Sequence, residues 1–452
     1  TKQDVVDWAN KYLGPESYAI IYKREGKDPN EQKIAAPKIT PIVTNRDSQS
    51  EFLSEIQTSQ VQPIEPVFVD YKKDMSQFEA QPGIDVLYKK NETNDIFTLI
   101  YVFNTGTEND PALNLAFNYL SYLGTDKMTA EEIASEMYDI ACSFYMNAGA
   151  NQSSIQITGL SENMGKAMEI VEGLIAGAKP DEAILENCKA DMLKSRADAK
   201  LNQSRCFGAL QRYLFYGGDF IRRTTLTDPA LQALTSEQLL AKIGGLMGKQ
   251  HEVLYYGPQK ETEIKSALAE HHKVAADLQP LEKKFSALLP TDANKVVLAQ
   301  YDAKQLYYLQ FSNRGEKFDV AADPEITLYN EYFGGGMNTI VFQEMREARG
   351  LAYSAWATLA TPSNANGDYS YYAFIATQND KMQKAVEAFD DIINNMPESE
   401  KAFGIAKEAL VSRLRTERTV KDGVLWSYLR ARDLGLDAPR DKQIFEKVQS
   451  LS

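Results

Sequence analysis

Apolar side chains recur along this chain with two periods, near two and near 3.6 residues, and the two kinds of stretch follow one another in blocks. Runs rich in aromatic and β-branched residues predict strands over residues 96–104, 153–160, 306–312, 352–360 and 369–377, with a further strand, HEVLYYG, opening at His251. Between them, Met164, Ala167, Met168, Val171, Leu174 and Ile175 fall at steps of three and four, which puts them on one face of a helix. Thr129-Ala-Glu-Glu132 reads as a capping box that opens another helix. Residues 27–81 follow neither period. They carry Pro29, Pro37, Pro41, Pro63 and Pro66, and proline is not tolerated inside a helix, so the stretch reads as an extended linker with one short helix at residues 50–56.

The pattern repeats. The helix beginning at Met164 returns as Met382, Ala385, Val386, Phe389, Ile392 and Ile393, each 218 positions later, and Lys189 on the following helix returns as Lys407. Tyr213-Leu214 returns as Tyr428-Leu429, and the strand ending at Phe103 resembles the one ending at Phe311. A constant offset held over several elements implies two copies of one unit. Each copy is expected to be an α+β layered sandwich, an antiparallel-rich sheet with helices packed on one face. Two closing elements frame the copies. Thr1-Lys-Gln-Asp-Val-Val with the strand YAIIYKREG resembles Leu234-Thr235-Ser236-Glu237-Gln238-Leu239 with HEVLYYG, and Leu451-Ser452 falls where a third would start. The expected organisation is therefore a closing element of an upstream domain at 1–26, the linker at 27–81, a first domain at 82–280 and a second at 281–452 that is C-terminally incomplete. On this reading the chain is part of a longer polypeptide.

With 452 residues and 43% hydrophobic content, there is material for two or more cores, and disordered or collagen-like classes are excluded. A net charge of -14 argues against a general nucleic-acid binder. No apolar run approaches the roughly 20 residues of a membrane span, and the opening TKQDVVDW has no basic start followed by an apolar core. Cys142, Cys188 and Cys206 are odd in number and lack metal-site spacing, so buried thiols are expected. Of the three histidines, His251 opens a strand, while His271 and His272 are neighbours on a charged helix, where adjacent side chains diverge. No set of zinc ligands is visible.

The most ordered stretch is residues 328–354, LYNEYFGGGMNTIVFQEMREARGLAYS. A helical turn with Tyr329, Tyr332 and Phe333 meets three glycines, a second helix carries Phe342, Met345, Arg346 and Arg349, and Gly350 stands as a cap before a strand. The glycines lack the Gly-Lys-Ser/Thr that a phosphate loop needs. The arginines also fit a solvated helix face paired with Glu344 and Glu347. The segment nevertheless resembles the C-terminal signature of the insulinase/pitrilysin family of inverted-motif zinc metallopeptidases, in which a glycine-rich helix junction precedes an Arg with a Tyr seven residues on. Here those positions are Arg346 and Tyr353.

That resemblance implies a peptide-handling role: Arg346 and Tyr353 would donate hydrogen bonds to a peptide held at a zinc site on another half of the molecule. It also locates the helix that carries His-x-x-Glu-His in the family's catalytic half. In this chain, counting back from Gly124-Thr125 puts Leu115, Asn118 and Tyr119 in those places, and residues 192–199, where the third ligand falls, contain Asp198 but no Glu. None of the three can bind zinc or act as the base. The last copy reads ITLYNEYFGGG, with Glu331 the lone carboxylate. The resemblance is thus to the noncatalytic C-terminal half, which binds no zinc itself. Its implied partners are an N-terminal catalytic half, carried on the same polypeptide or a separate subunit, and the peptide substrate. A noncatalytic scaffold subunit of the same family is the alternative.

Overall fold

The computed structural model describes residues 1–16, 18–24, 26, 50–60 and 62–452. It divides into two compact units, Thr1–Pro63 and Ile64–Ser452. In the first, the helix Lys2–Tyr12 is opened by a capping box between Thr1 and Asp4, and a second helix covers Glu51–Thr58, where a short one is expected. The strand expected from Tyr18 is not formed: residues 18–24 pair with no strand among the described residues, and an isolated strand has nothing to satisfy its backbone. Pro29, Pro37 and Pro41 lie outside the described residues.

The second unit holds two sheets. Strands β1 (Ser76–Gln81), β2 (Ile84–Lys90), β3 (Ile96–Phe103), β4 (Cys142–Ala148), β5 (Ser153–Leu160) and β6 (His251–Gly257) form the larger, in the order β1-β2-β6-β3-β5-β4. All its pairings are antiparallel except β2 with β6. Strands β7 (Gln305–Ser312), β8 (Ser354–Ala360) and β9 (Ser370–Gln378) form the smaller, in the order β7-β9-β8. The strands anticipated from periodicity are present, with ends displaced by a residue or two. One was missed. β1 lies within the stretch read as linker, and it pairs with β2 across a two-residue Pro82-Gly83 turn.

The duplication extends to the pairing register. Ile96 faces Leu160 in the first sheet and Gln305 faces Gln378 in the second, and a short 3-10 turn then leads into the helices Met164–Gly177 and Met382–Asn394. Lys189 Nζ donates to the Gln232 carbonyl at 3.2 Å, and Lys407 Nζ to the Gln449 carbonyl at 2.9 Å. The mixed α+β sandwich expected from the sequence is the fold observed.

Each sheet buries one face against helices of its own copy and the other against a helix of the opposite copy. Leu87, Ile100, Val102 and Leu254 of the larger sheet pack on Val424, Leu425 and Leu429, which belong to the helix Gly423–Asp433. In return the helix Gln203–Thr224, broken at Gly217, lays Phe207 and Phe215 on the smaller sheet. Phe207 sits 5.4 Å from Tyr307 and 5.8 Å from Phe374, and Phe215 sits 4.7 Å from Phe311, measured between ring centroids. Aromatic contacts of this kind add to the burial that holds the halves together. With both faces covered, every residue of β6 is buried. No helix among the described residues is long and apolar enough to cross a membrane.

Candidate functional site

The helix Leu113–Leu120 carries Leu115, Asn118 and Tyr119. Its apolar side faces the core: Leu115 and Tyr119 are fully buried, and Asn118 points to solvent. The Tyr119 hydroxyl lies 2.8 Å from Ser236 Oγ and accepts the Asp181 backbone N–H at 2.7 Å. Asp181 is the N-cap of the helix Glu182–Lys200, so Tyr119 ties one helix to the start of the next. The same tie occurs in the second copy, where Tyr332 Oη accepts the N–H of Ser399, N-cap of the helix Glu400–Thr416. Leu115, Asn118 and Tyr119 therefore recur as Leu328, Glu331 and Tyr332, each 213 positions later. Both tyrosines are structural. Asp198 is exposed, and no group of three His, Cys, Asp or Glu side chains able to hold a metal occurs among the described residues. These positions do not fit zinc.

The histidines meet in a way their spacing conceals. His272 lies just past the end of the helix Glu261–His271, and its Nε2 is 2.8 Å from His251 Nε2. Its Nδ1 is 2.5 Å from Glu172 Oε1, while His251 Nδ1 is 2.8 Å from the Lys249 carbonyl. Since a carbonyl only accepts, His251 Nδ1 carries a proton, His251 Nε2 accepts, and His272 Nε2 donates. Burial and the neighbouring His272 lower the His251 pKa to about 4. The ring of Tyr101 covers His272 at 4.1 Å. The cluster is a buried polar link between β6, the helix Met164–Gly177 and the chain after residue 271, and its four imidazole nitrogens are taken up by one another, Glu172 and the Lys249 carbonyl. Cys142 and Cys188 are buried free thiols whose pKa is raised by burial; Cys206 is half-buried and free.

At the glycine junction the helix Asp323–Tyr329 widens into π turns over Asn330–Gly334. A Cβ on Gly334 would stand 2.6 Å from the Ala357 carbonyl oxygen, so the helix lies closer to β8 than any other residue allows. Asn330 completes the contact, donating to the Leu359 carbonyl at 2.9 Å and accepting the Leu359 N–H at 2.8 Å. The Thr339 side chain caps Ile340–Phe342, and π turns follow over Gln343–Ala348. Met345 is fully buried and orients this turn. Gly350, at φ 57°, ends it in the left-handed conformation its position anticipates.

This frame brings the two signature residues together on the surface. The Arg346 guanidinium carbon lies 4.9 Å from the centroid of the Tyr353 ring and 5.0 Å from that of Phe342. Its nearest carboxylate oxygen, on Glu347, is 3.7 Å away, outside hydrogen-bond range. Tyr353 is 74% exposed, and its hydroxyl makes no hydrogen bond to the described residues. Arg349 is held differently, by Asp391 at 3.2 Å and Glu344 at 3.5 Å, and its pairing with Asn395 and Arg349 keeps the Asp391 pKa below the usual value. The site thus presents a guanidinium in contact with two rings, with donors unspent, and an exposed Tyr353 hydroxyl. Such donors can bond acceptor oxygens.

Residues 251–410 match the family described as the peptidase M16 inactive domain. An uncharacterized zinc protease of Streptomyces coelicolor is 22% identical over 266 residues, which are 55% of this chain and 56% of that protein. The crystal structure of a peptidase M16 inactive domain from Pseudomonas fluorescens superposes with a TM-score of 0.63 at 17% identity, covering 84% of this chain and 92% of that one. The periplasmic protease PqqL of Escherichia coli superposes with a TM-score of 0.65 at 12% identity over the whole of this chain and 48% of its own. The chain therefore spans about half the length of these two proteases. The resemblance read from the glycine junction and the Arg-to-Tyr spacing is borne out at the level of the family.

Proposed function

From an M16 inactive domain over residues 251–410, we propose that this chain is the noncatalytic half of a zinc peptidase and that Arg346 and Tyr353 grip its peptide substrate. The observation that carries the proposal is their arrangement: a half-buried guanidinium and an exposed phenol, held in contact with each other, on a backbone fixed by Gly334, Met345 and Gly350. A side chain already held in place loses little freedom when it binds, so its hydrogen bonds go into affinity and orientation. Zinc and its ligands would reside on an N-terminal half, on the same polypeptide or a separate subunit, and would supply the activation of water. This chain's own share is to hold the peptide backbone and keep it aligned. Peptides are the natural class because the donors meet carbonyl oxygens whatever the side-chain sequence.

The test is cleavage of a quenched fluorescent peptide by this chain alone and with an N-terminal half, with zinc measured in each sample. The proposal expects zinc and cleavage only in the combination, and lower turnover when Arg346 or Tyr353 is replaced by alanine. A combination that binds no zinc and cleaves nothing would favour a scaffold subunit instead.

A further inference from the structure

A cleft that neither Arg346 nor Tyr353 lines lies where the connection between the two copies passes the helix Gln203–Thr224. The helix breaks at Gly217, and beside the break the Phe215 carbonyl accepts the Leu289 N–H at 2.7 Å, which holds the connection against it. The turn after β3 forms the third wall. Glu108 donates its N–H to the Ala150 carbonyl at 2.9 Å, its carboxylate accepts the Ser286 hydroxyl, and its carbonyl accepts Arg223 Nη1 at 3.1 Å. These three segments, pinned to one another, enclose about 510 Å³, a volume in the range of small-ligand sites.

The apolar part of the lining is aromatic. Phe220 is buried, Tyr216 stacks on it with ring centroids 4.4 Å apart, and Phe285 adds a third ring. The polar part is divided between engaged acceptors and unpaired donors. The Glu108 carboxylate holds Ser286, and that of Asp219 holds Arg222. By contrast, Lys284 Nζ, the Tyr216 hydroxyl, and Nε and Nη2 of Arg223 make no hydrogen bond to the described residues. The Arg223 guanidinium carbon lies 5.4 Å from the centroid of the Phe220 ring, so one of the two cations is held against the aromatic lining. Burial, with Glu108 nearby, raises the Tyr216 pKa and keeps its hydroxyl a donor. We infer that this cleft binds a carboxylate carried on a small apolar body, the chemistry of an apolar residue at the C-terminal end of a peptide. The carboxylate pairs with Arg223 and Lys284, and the body lies against Tyr216, Phe220 and Phe285. A multiply charged phosphate fits less well, because Glu108 and Asp219 repel the additional charge and the rings have nothing apolar to meet.

The experiment is calorimetric titration of the 452-residue chain with acetyl-alanyl-alanyl-phenylalanine, with the C-terminal amide of the same peptide, and with hydrocinnamate. The expected result is saturable binding of the free-acid peptide, about tenfold or more tighter than that of the amide, because the amide lacks the charged acceptor. Arg223→Gln and Lys284→Gln should each weaken it by about tenfold. Lys194→Gln, on an exposed position of the helix Glu182–Lys200 outside the cleft, should leave it unchanged. Melting temperatures accompany each variant; should Arg223→Gln fail to fold, Lys284→Gln decides, since its ammonium bonds to no described residue. Hydrocinnamate binding as tightly as the peptide supports the site as one for free acids, and weaker binding supports it as one for peptide ends. No saturable binding of either acid overturns the inference, as does equal affinity for acid and amide, or undiminished binding in Lys284→Gln. The readout needs no cleavage and no N-terminal half, so its failure is separate from failure of the Arg346 and Tyr353 grip.

Discussion

Arg432 grips Glu252 through two parallel contacts, Nη1 to Oε1 at 2.5 Å and Nη2 to Oε2 at 2.8 Å. The first residue belongs to a helix of the second copy and the second to β6 of the first, so the fork spans the repeat. Glu252 is nearly buried and has this guanidinium as its partner. Because one end of the pair is half exposed, its worth is below that of a buried ion pair. Arg432→Ala is expected to destabilise by about 1–3 kcal/mol, chiefly by leaving a carboxylate unpaired on a central strand. Arg432→Lys should recover only part of this, since an ammonium cannot reproduce the two-point geometry. Urea unfolding measures both, and an unchanged midpoint in Arg432→Ala would show that the fork contributes nothing.

Removing the Tyr353 hydroxyl while keeping its ring separates hydrogen bonding from stacking. In an active assembly with the N-terminal half, Tyr353→Phe and Arg346→Ala are each expected to reduce kcat/KM for peptides by about tenfold to a thousandfold. Zinc content and melting temperature should stay as they were, because neither residue touches the core. Wild-type kinetics in both variants would remove these two residues from substrate binding.

Tyr119 and Tyr332 predict a structural phenotype. Tyr119→Phe deprives the Asp181 N–H and Ser236 of a buried partner and is expected to cost about 1–3 kcal/mol. Tyr332→Phe should act in the same direction through Ser399. Thermal unfolding of the two variants gives the comparison, and a fall in peptide cleavage without a fall in stability would contradict the structural assignment.

Stability should decline as the solution is acidified from about pH 6.5 towards pH 4. His251 has a folded-state pKa lowered to about 4 against an ordinary value of 6.5, so in that window the unfolded chain binds the extra proton. The stabilisation is complete above the ordinary value and is lost as pH falls towards the folded one, with a slope of up to about 1.4 kcal/mol per pH unit from this group. The neighbours that set the response are His272, Glu172, Tyr101 and the Lys249 carbonyl. His251→Gln, which cannot titrate, should flatten the profile over this range in pH-dependent denaturation. An equally steep profile in that variant would assign the effect elsewhere.

Local patterns in the sequence carried most of the architecture. Alternation located β3, β5 and β7, the 218-residue offset located the repeat, and Thr129, Gly350 and the Arg346–Tyr353 spacing located their own turns, because each depends on near neighbours. What escaped was long-range or locally atypical. β1 was lost among prolines, although Gln-Pro-Gly at residues 81–83 is a turn signal that could have found it. His251 and His272 pair across 21 positions, and nothing in either neighbourhood announces the other. Tyr119, read only as a failed ligand position, has a hydrogen-bonding task that becomes visible when Tyr332 is set beside it. The packing of Phe207 and Phe215 on the opposite sheet was equally hidden, since helical periodicity tells which face is apolar and not what it meets.

The exchange of the helices Gln203–Thr224 and Gly423–Asp433 makes each sheet the keeper of the other's far side. Two such pieces cannot part like jaws, because separating them would strip a helix from both at once and wet two aromatic or aliphatic faces together. Residues 64–452 are therefore held as one body, and a motion within them would have to unseat both helices at once.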